Sequence, residues 1–390
     1  MNQFATSVSA YIDIMQSFTS QGLINYVGTT TGVSVLRPRS WSAGTEMDMQ
    51  SKKNIPTLED VAKAAGVSTA TVSRCLNLPD RVAKATLDRV TKTVQDMGYT
   101  PNFGARAMAA KRTFTIGAII PTMENSIFAR GLQAFQEELN RRGYTLLVSS
   151  TGYNTNVEQE QIRALVSRGA DALLLIGYER DPSIYAFLEN RDVPVLIAWA
   201  FSEHQPLTSI GFDNRRSMHR LAKHVIGLGH KNIAVISGVT KWNDRAQQRL
   251  DGIKDAVREA GRDPADLPVI ETPYGVQSGR EALDRLMAAD VRPTVVMCGN
   301  DVLAVGALRR AQDMGLRVPE DLSITGFDDI ELAEIVTPRL ATVHVPHREM
   351  GRAAATELVN LVEKTSAGNS VELQTVVELR ESLGPPNPQP

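Results

Sequence analysis

From Phe114 onward, seven short apolar runs, "TIGAII", "YTLLVSS", "ADALLLIG", "VPVLIAW", "NIAVIS", "TVVMCG" and "LSITGFDD", alternate with helical patterns of ten to fifteen residues. No other feature restricts the fold so tightly. A strand without polar alternation is buried on both faces, which calls for parallel sheets covered by helices. So many strands, broken near "SIGFDN", predict two doubly wound lobes rather than one sheet. The expected lobes are 113–210 with 343–375 and 211–342 with 376–384, followed by a disordered tail, 385–390. At 390 residues and 42% hydrophobic content, the chain has ample material for such a core.

Ahead of this body lies "VAKAAGVSTATVSRCLN", Val61 to Asn77, two short helical patterns broken by a glycine and a serine. Three helices are expected across 54–100. Thr57 with Asp60 resembles a capping box opening the first helix, and Gly66 closes it. Ser68 is a good N-cap for the second, which ends at Asn77, a residue tolerant of the left-handed conformation. The third runs from about Ala83 to Met97, with Val82, Leu87, Val90, Val94 and Met97 on its apolar face and Gly98 as its stop. The fold class is thus an all-α helix-turn-helix head joined to an α/β two-lobed body. Residues 1–53 show no sustained period and read as disordered, or as untranslated if synthesis starts at Met47 or Met49.

The net charge of −2 conceals an uneven distribution. Lys52 to Arg112 holds eleven Lys/Arg against five Asp/Glu, whereas Thr113 to the end holds 29 against 36. A basic module before an acidic body suits a nucleic-acid binder with a second function. The two cysteines, Cys75 and Cys298, are far apart and in no metal-type spacing, so neither a disulfide framework nor a zinc site is expected. There is no run of eighteen apolar residues and no signal-peptide pattern in the first thirty, so the protein is expected in the cytoplasm, away from any membrane.

In a helix-turn-helix the second helix enters the major groove with its first turn toward base edges. That puts Thr69, Ala70 and Arg74 at the bases. Arg74 can donate two hydrogen bonds to guanine O6 and N7, and the Thr69 and Ala70 methyl groups can touch a thymine methyl. Ser68, Thr71 and Ser73 carry short hydroxyls suited to phosphate oxygens, which position the helix without reading sequence.

"TLEDVAKAAGVSTATVSRCLN" and "RVAKATLDRVTKTVQDMGYTPNFGARAM" resemble the head of the lactose-repressor (LacI/GalR) family, with the same helix lengths and the same "GYTPN" exit. The likeness extends over nearly all of 56–384. "PTMENSIFARGLQAFQEELNRRGYTLLV", "IGFDN" and "TPRLATVHVPHREMG" look most like its gluconate-repressor group. The resemblance implies a homodimer whose paired heads read a pseudo-palindromic double-stranded operator. It also implies a body like a type I periplasmic sugar-binding protein that takes a sugar or sugar-acid effector. Residues 101–112 match the family hinge, a helix that forms on the operator and wedges an apolar side chain into the minor groove. Asn102, Ala105 and Arg106 match that hinge, and Met108 stands at the wedge, where Leu is usual. Thr57, Asn77, Lys84 and Tyr99 complete the residues expected at DNA. Ala83 departs from a common serine, so a cap and phosphate contact is lost or passed to Lys84.

In the body, Arg249 in "RLDGI" and Asp301 in "GNDVLAVG" match the family's effector-contacting arginine and aspartate. Asp accepts hydrogen bonds from vicinal hydroxyls, and Arg grips a hydroxyl pair or a carboxylate in a fixed fork. Asn300 joins them, Tyr274 matches a stacking aromatic, and Phe128 and Asp213 are further effector contacts by resemblance. Arg245, one turn from Arg249, is a candidate helper for a sugar carboxylate. Asp328 and Asp329 invite an acid/base reading, but adjacent residues at a strand end point apart, so a helix N-cap with a lobe contact is preferred. His344 and His347 are too loosely spaced for a metal site. No cofactor or metal is expected. A ligand-controlled transcription regulator, in all expectation a repressor, is the reading. Its rival, a sugar-binding transport component, is disfavoured by the basic head and the missing export signal. A sugar-modifying enzyme is disfavoured because the chain has no nucleophile elbow or cofactor loop.

Overall fold

The computed structural model describes residues 56–77, 79–100 and 103–387. The side chains of Asn77, Phe103, Ala105, Arg106 and Ala109 are outside that description, as are Asn102 and the whole of 1–53. The chain divides between Tyr99 and Thr100 into two compact units.

The first unit is three helices. α1 (Leu58–Ala65) opens on the capping box: Thr57 Oγ1 accepts from the Asp60 N–H, and the Asp60 carboxylate accepts from the Thr57 N–H at 2.9 Å. Gly66 closes it in the left-handed conformation, at φ 63°. α2 (Thr69–Asn77) starts with Ser68 Oγ accepting from the Thr71 N–H. A 3-10 turn (Pro79–Arg81) leads to α3 (Lys84–Met97), whose N-cap Ala83 makes no side-chain cap bond, leaving uncapped the end that a serine would close. Val61, Ala62, Ala65, Val72, Cys75 and Val90 form the core, and Val82, Leu87, Val94 and Met97 pack around it.

The second unit begins with α4 (Phe103–Ala110) and continues as β1 (Thr115–Ile120), α5 (Ser126–Arg141), β2 (Thr145–Ser150), α6 (Thr155–Ser167) and β3 (Ala172–Ile176). α7 (Pro182–Glu189), β4 (Val195–Ala198), β5 (Ser209–Gly211), α8 (Asn214–Gly227), β6 (Ile233–Gly238), α9 (Asp244–Glu259) and β7 (Val269–Thr272) follow. Then come α10 (Val276–Met287), β8 (Val295–Cys298), α11 (Asp301–Asp313), β9 (Ser323–Thr325) and α12 (Glu331–Ile335). The chain ends with β10 (Thr342–His344), α13 (His347–Glu363), β11 (Val371–Glu372) and β12 (Val376–Glu378).

Two parallel sheets result, ordered β2-β1-β3-β4-β5-β11 and β7-β6-β8-β9. In each, the first strand pairs with its successor on one side and the third strand on the other, so both sheets are doubly wound. Double-sided burial follows the sequence: Ile116, Ala118 and Ile120 of β1 face one core and Ile119 the opposite one, while Val235 and Ile236 of β6 separate in the same way. β2 is the exception among the apolar runs, an edge strand with Thr145, Val148 and Ser150 exposed and the rest only partly buried. The chain passes between the sheets three times, after β5, between β10 and α13, and between β11 and β12. β10 and β12 pair antiparallel.

Candidate functional site

The strands of both sheets end at a common cleft, where doubly wound folds bind ligands. The loop after β1 brings Asn125, the loop after β2 Tyr153, the loop after β6 Lys241 and Asn243, and the loop after β7 Pro273 and Tyr274. They enclose a cavity of about 460 Å³. Four of these residues, Asn125, Tyr153, Asn243 and Tyr274, also line a cramped inner pocket whose floor is Phe128, Trp199, Arg249, Asn300 and Asp328.

Asp328 is 1% exposed, and neither carboxylate oxygen has a hydrogen-bond partner within the protein. Its backbone sits at φ 106°, a conformation disfavoured for a non-glycine residue and held here by the Asp328 N–H donating to the Val343 carbonyl. Burial pushes its pKa up to about 6, with Arg249 and Arg245 opposing the shift. Arg249 lies over the Phe327 ring, 4.2 Å from its centroid, donates from Nε to Asn214 and from Nη1 to the Gly299 carbonyl, and remains 3.9 Å from Asp328.

Asp301, expected at the effector, is instead committed to the fold. Its Oδ1 accepts from Thr342 Oγ1 at 2.6 Å and its Oδ2 from the Ile330 N–H at 2.8 Å, so both oxygens are engaged behind the cleft. Burial and the Asp328 charge hold its pKa well above the usual carboxylate range. By tying the start of α11 to segment 327–330, it positions Asp328. Asp213 likewise is the N-cap of α8, accepting from the Arg216 N–H, and lines neither cavity. Asp328 and Asp329 do point apart, but neither is a helix cap: α12 opens at Ile330 without a side-chain cap, and Asp329 pairs with Arg380 and His344.

Arg245 is no free helper either. Its Nη1 donates to the Ile176 carbonyl and to Asp244, while the Asp244 carboxylate accepts from the Tyr178 N–H at 2.6 Å. These contacts join α9, beside the second sheet, to the end of β3 in the first. Phe128 packs against Trp199 with centroids 5.3 Å apart, and Asn300 caps α11 through the Leu303 N–H. Tyr274 meets Tyr153 across the cleft at 5.6 Å. Sequence reading missed Tyr153, Asn125, Asn243 and Trp199. The two asparagines were visible as N-caps, of α5 and α9.

On the head, Thr69, Ala70 and Arg74 are exposed along one side of α2, and Arg74 has no partner among the described residues. Ser68 and Thr71 hydroxyls are 2.9 Å apart, bonded to each other. Thr57 and Lys84 are exposed at their helix starts, and Tyr99 is half-buried against the helical core. In the second unit, Met108 on α4 is 83% exposed.

Residues 57–102 match the model of bacterial regulatory proteins of the lacI family, and residues 222–383 match a periplasmic binding protein-like domain. Catabolite control protein A of Priestia megaterium is 32% identical over 84% of this chain and 98% of its own. The HTH-type transcriptional repressor PurR of Vibrio atlanticus is 35% identical over 76% of this chain and 89% of its own. The chain belongs to the LacI family. The crystal structure of the Lac repressor dimer bound to operator and the anti-inducer ONPF superposes with a TM-score of 0.74 at 26% identity, covering 84% of this chain and 98% of that one. This LacI-family chain is accordingly a DNA-binding transcription regulator, with a helix-turn-helix head and a periplasmic-binding-protein-like body.

Proposed function

We propose that the protein is a homodimeric repressor that reads a pseudo-palindromic operator and is controlled by a small hydroxyl-bearing effector bound in the cleft. The observation that carries the effector reading is Asp328: a buried carboxylate with two unpartnered oxygens beside a fixed arginine waits for hydrogen-bond donors. Vicinal hydroxyls of a sugar supply them. A gluconate-like acid would direct its hydroxyl end toward Asp328 and its carboxylate toward Lys241 at the mouth, because Arg249 and Arg245 are already engaged. In this reading Arg249, Asn300, Tyr274 and Phe128 hold the effector with Asp328, and Asp301 holds Asp328.

The exposed surface of α2 supports a reading head in which Thr69, Ala70 and Arg74 face bases and Ser68, Thr71, Ser73 and Lys84 face phosphates. Met108 on the exposed side of α4 is the apolar wedge. Two heads at fixed spacing bind one duplex far better than either alone. Effector and operator then oppose or support each other by one reciprocal coupling factor. A thermal-shift screen of the wild type and Asp328→Asn against sugars, aldonates and polyols tests the effector assignment, since a ligand of the folded state raises Tm. Stabilisation lost in the variant is expected; equal stabilisation of both proteins contradicts it.

A further inference from the structure

β3 carries a cross-connection at each end. At its C-terminal end the Ile176 carbonyl accepts from Arg245 Nη1 at 2.9 Å and the Tyr178 N–H donates to Asp244, so the second lobe is clasped there. At its N-terminal end Asp171 holds the link by which α4 enters β1. Its Oδ1 accepts from the Thr113 N–H at 2.9 Å and its Oδ2 from the Thr115 N–H at 3.3 Å, while the Asp171 N–H donates to the Thr115 carbonyl at 2.8 Å. Thr113 Oγ1 adds a bond to the Gly169 carbonyl at 2.5 Å. The link is short, because the Arg112 N–H still donates back to the Ala107 carbonyl of α4 and Thr113 is the next residue. Lys111 and Phe114, both at φ 53°, hold left-handed conformations disfavoured for residues with a side chain. The second is pinned by the Thr145 N–H, which donates to its carbonyl, and by the Tyr144 ring, 5.6 Å away. Between the two ends, β3 is buried throughout and paired with β1 on one side and β4 on the other. From Asp171 to Gly177 it spans about 20 Å.

We propose that Asp171 is the positioning residue of α4, and that β3 makes the direction of α4 depend on the clasp at its far end. The inference rests on α4 being the operator hinge and deepens that reading. A single carboxylate that takes two amides of one short link fixes both the tilt and the rotation of the helix leaving it. Without the carboxylate those amides turn to water, α4 leaves at no fixed angle, and Met108 is no longer aimed. A close-packed strand passes a displacement on rather than absorbing it. The signature of such a link is an energetic coupling between its two ends.

The test is a double-mutant cycle on the full chain, read by fluorescence anisotropy on a labelled duplex selected from a random pool and on a scrambled one. Asp171→Ala is expected to weaken the selected duplex fivefold or more and the scrambled one less than twofold, because phosphate attraction by the heads needs no aimed hinge. Gly177→Ala, which disturbs the clasp, should shift the selected-duplex Kd fivefold or more in the wild type but less than twofold in Asp171→Ala. Sites so far apart without a shared partner otherwise act additively. An equal shift in both backgrounds therefore overturns the inference, as does an Asp171→Ala loss of the same size on both duplexes. Asp171→Asn, which keeps one acceptor oxygen, carries the same cycle where the alanine variant does not fold, and the same outcomes decide. Met108→Ala separates the two readings: unchanged binding of the selected duplex overturns the hinge and the role of Asp171 together. Weakened binding in Met108→Ala with an additive cycle overturns the role of Asp171 alone.

Discussion

Arg249 Nη1 lies 3.9 Å from Asp328 Oδ1 but only 2.6 Å from the Gly299 carbonyl, so the cation leans toward the buried carboxylate without satisfying it. A carboxylate left in that state destabilises the empty protein. Its folded-state pKa, about 6, exceeds the ordinary 3.8, so between those values the folded chain holds more protons than the unfolded one and stability falls as pH rises. Asp328→Asn should therefore raise stability by about 1–3 kcal/mol at pH 7.5 and change it little near pH 4. Urea unfolding at the two pH values checks this; a loss of stability at pH 7.5 would show that Asp328 is satisfied in some way its surroundings do not reveal.

Gly177, at φ 72°, lies under the contacts that join the two lobes. A Cβ there would overlap Arg245 Nη1 and Asp244 Oδ1. Gly177→Ala should weaken closure by about 1–3 kcal/mol, the range for losing buried hydrogen bonds. Small-angle scattering is expected to show a larger radius of gyration with weaker effector binding. An unchanged radius and unchanged affinity would mean that Asp244 and Arg245 do not hold the cleft.

In the head, Thr57→Ala removes one half of the capping box on α1. The cost should be about 1 kcal/mol, read as faster hydrogen exchange at the first amides of α1. Exchange in α3, whose N-cap Ala83 makes no side-chain cap bond, serves as the internal comparison.

Arg74→Ala should weaken binding to a duplex selected from a random pool by about 1–3 kcal/mol, and binding to scrambled DNA far less. Filter-binding titrations on both duplexes distinguish a base contact from a phosphate contact. Equal losses on the two would move Arg74 to the backbone.

The helices of the head could be read almost to the residue because their signals are local: Thr57 with Asp60 at one end, Gly66 and Gly98 at the others. The long apolar strands were legible for the same reason. β5 and β11, of three and two residues, were not, because so short a segment carries no period and is extended only by its neighbours in the sheet. The carboxylates show the deeper limit. Asp301 and Asp328 both follow strands, and nothing nearby in sequence tells which one Thr342 and the Ile330 amide engage and which remains open to the cleft. The same holds for Arg245, whose partner Ile176 lies 69 residues away.

The central claim is that occupancy of the cleft changes DNA affinity through Asp328. The direct measurement is fluorescence anisotropy of a labelled selected duplex, titrated with wild type and with Asp328→Asn, each with and without the sugar that gives the largest thermal shift. The account predicts that the sugar moves the wild-type Kd by about fivefold or more and leaves that of Asp328→Asn unmoved. A wild-type Kd that stays constant while the sugar saturates the cleft would contradict it.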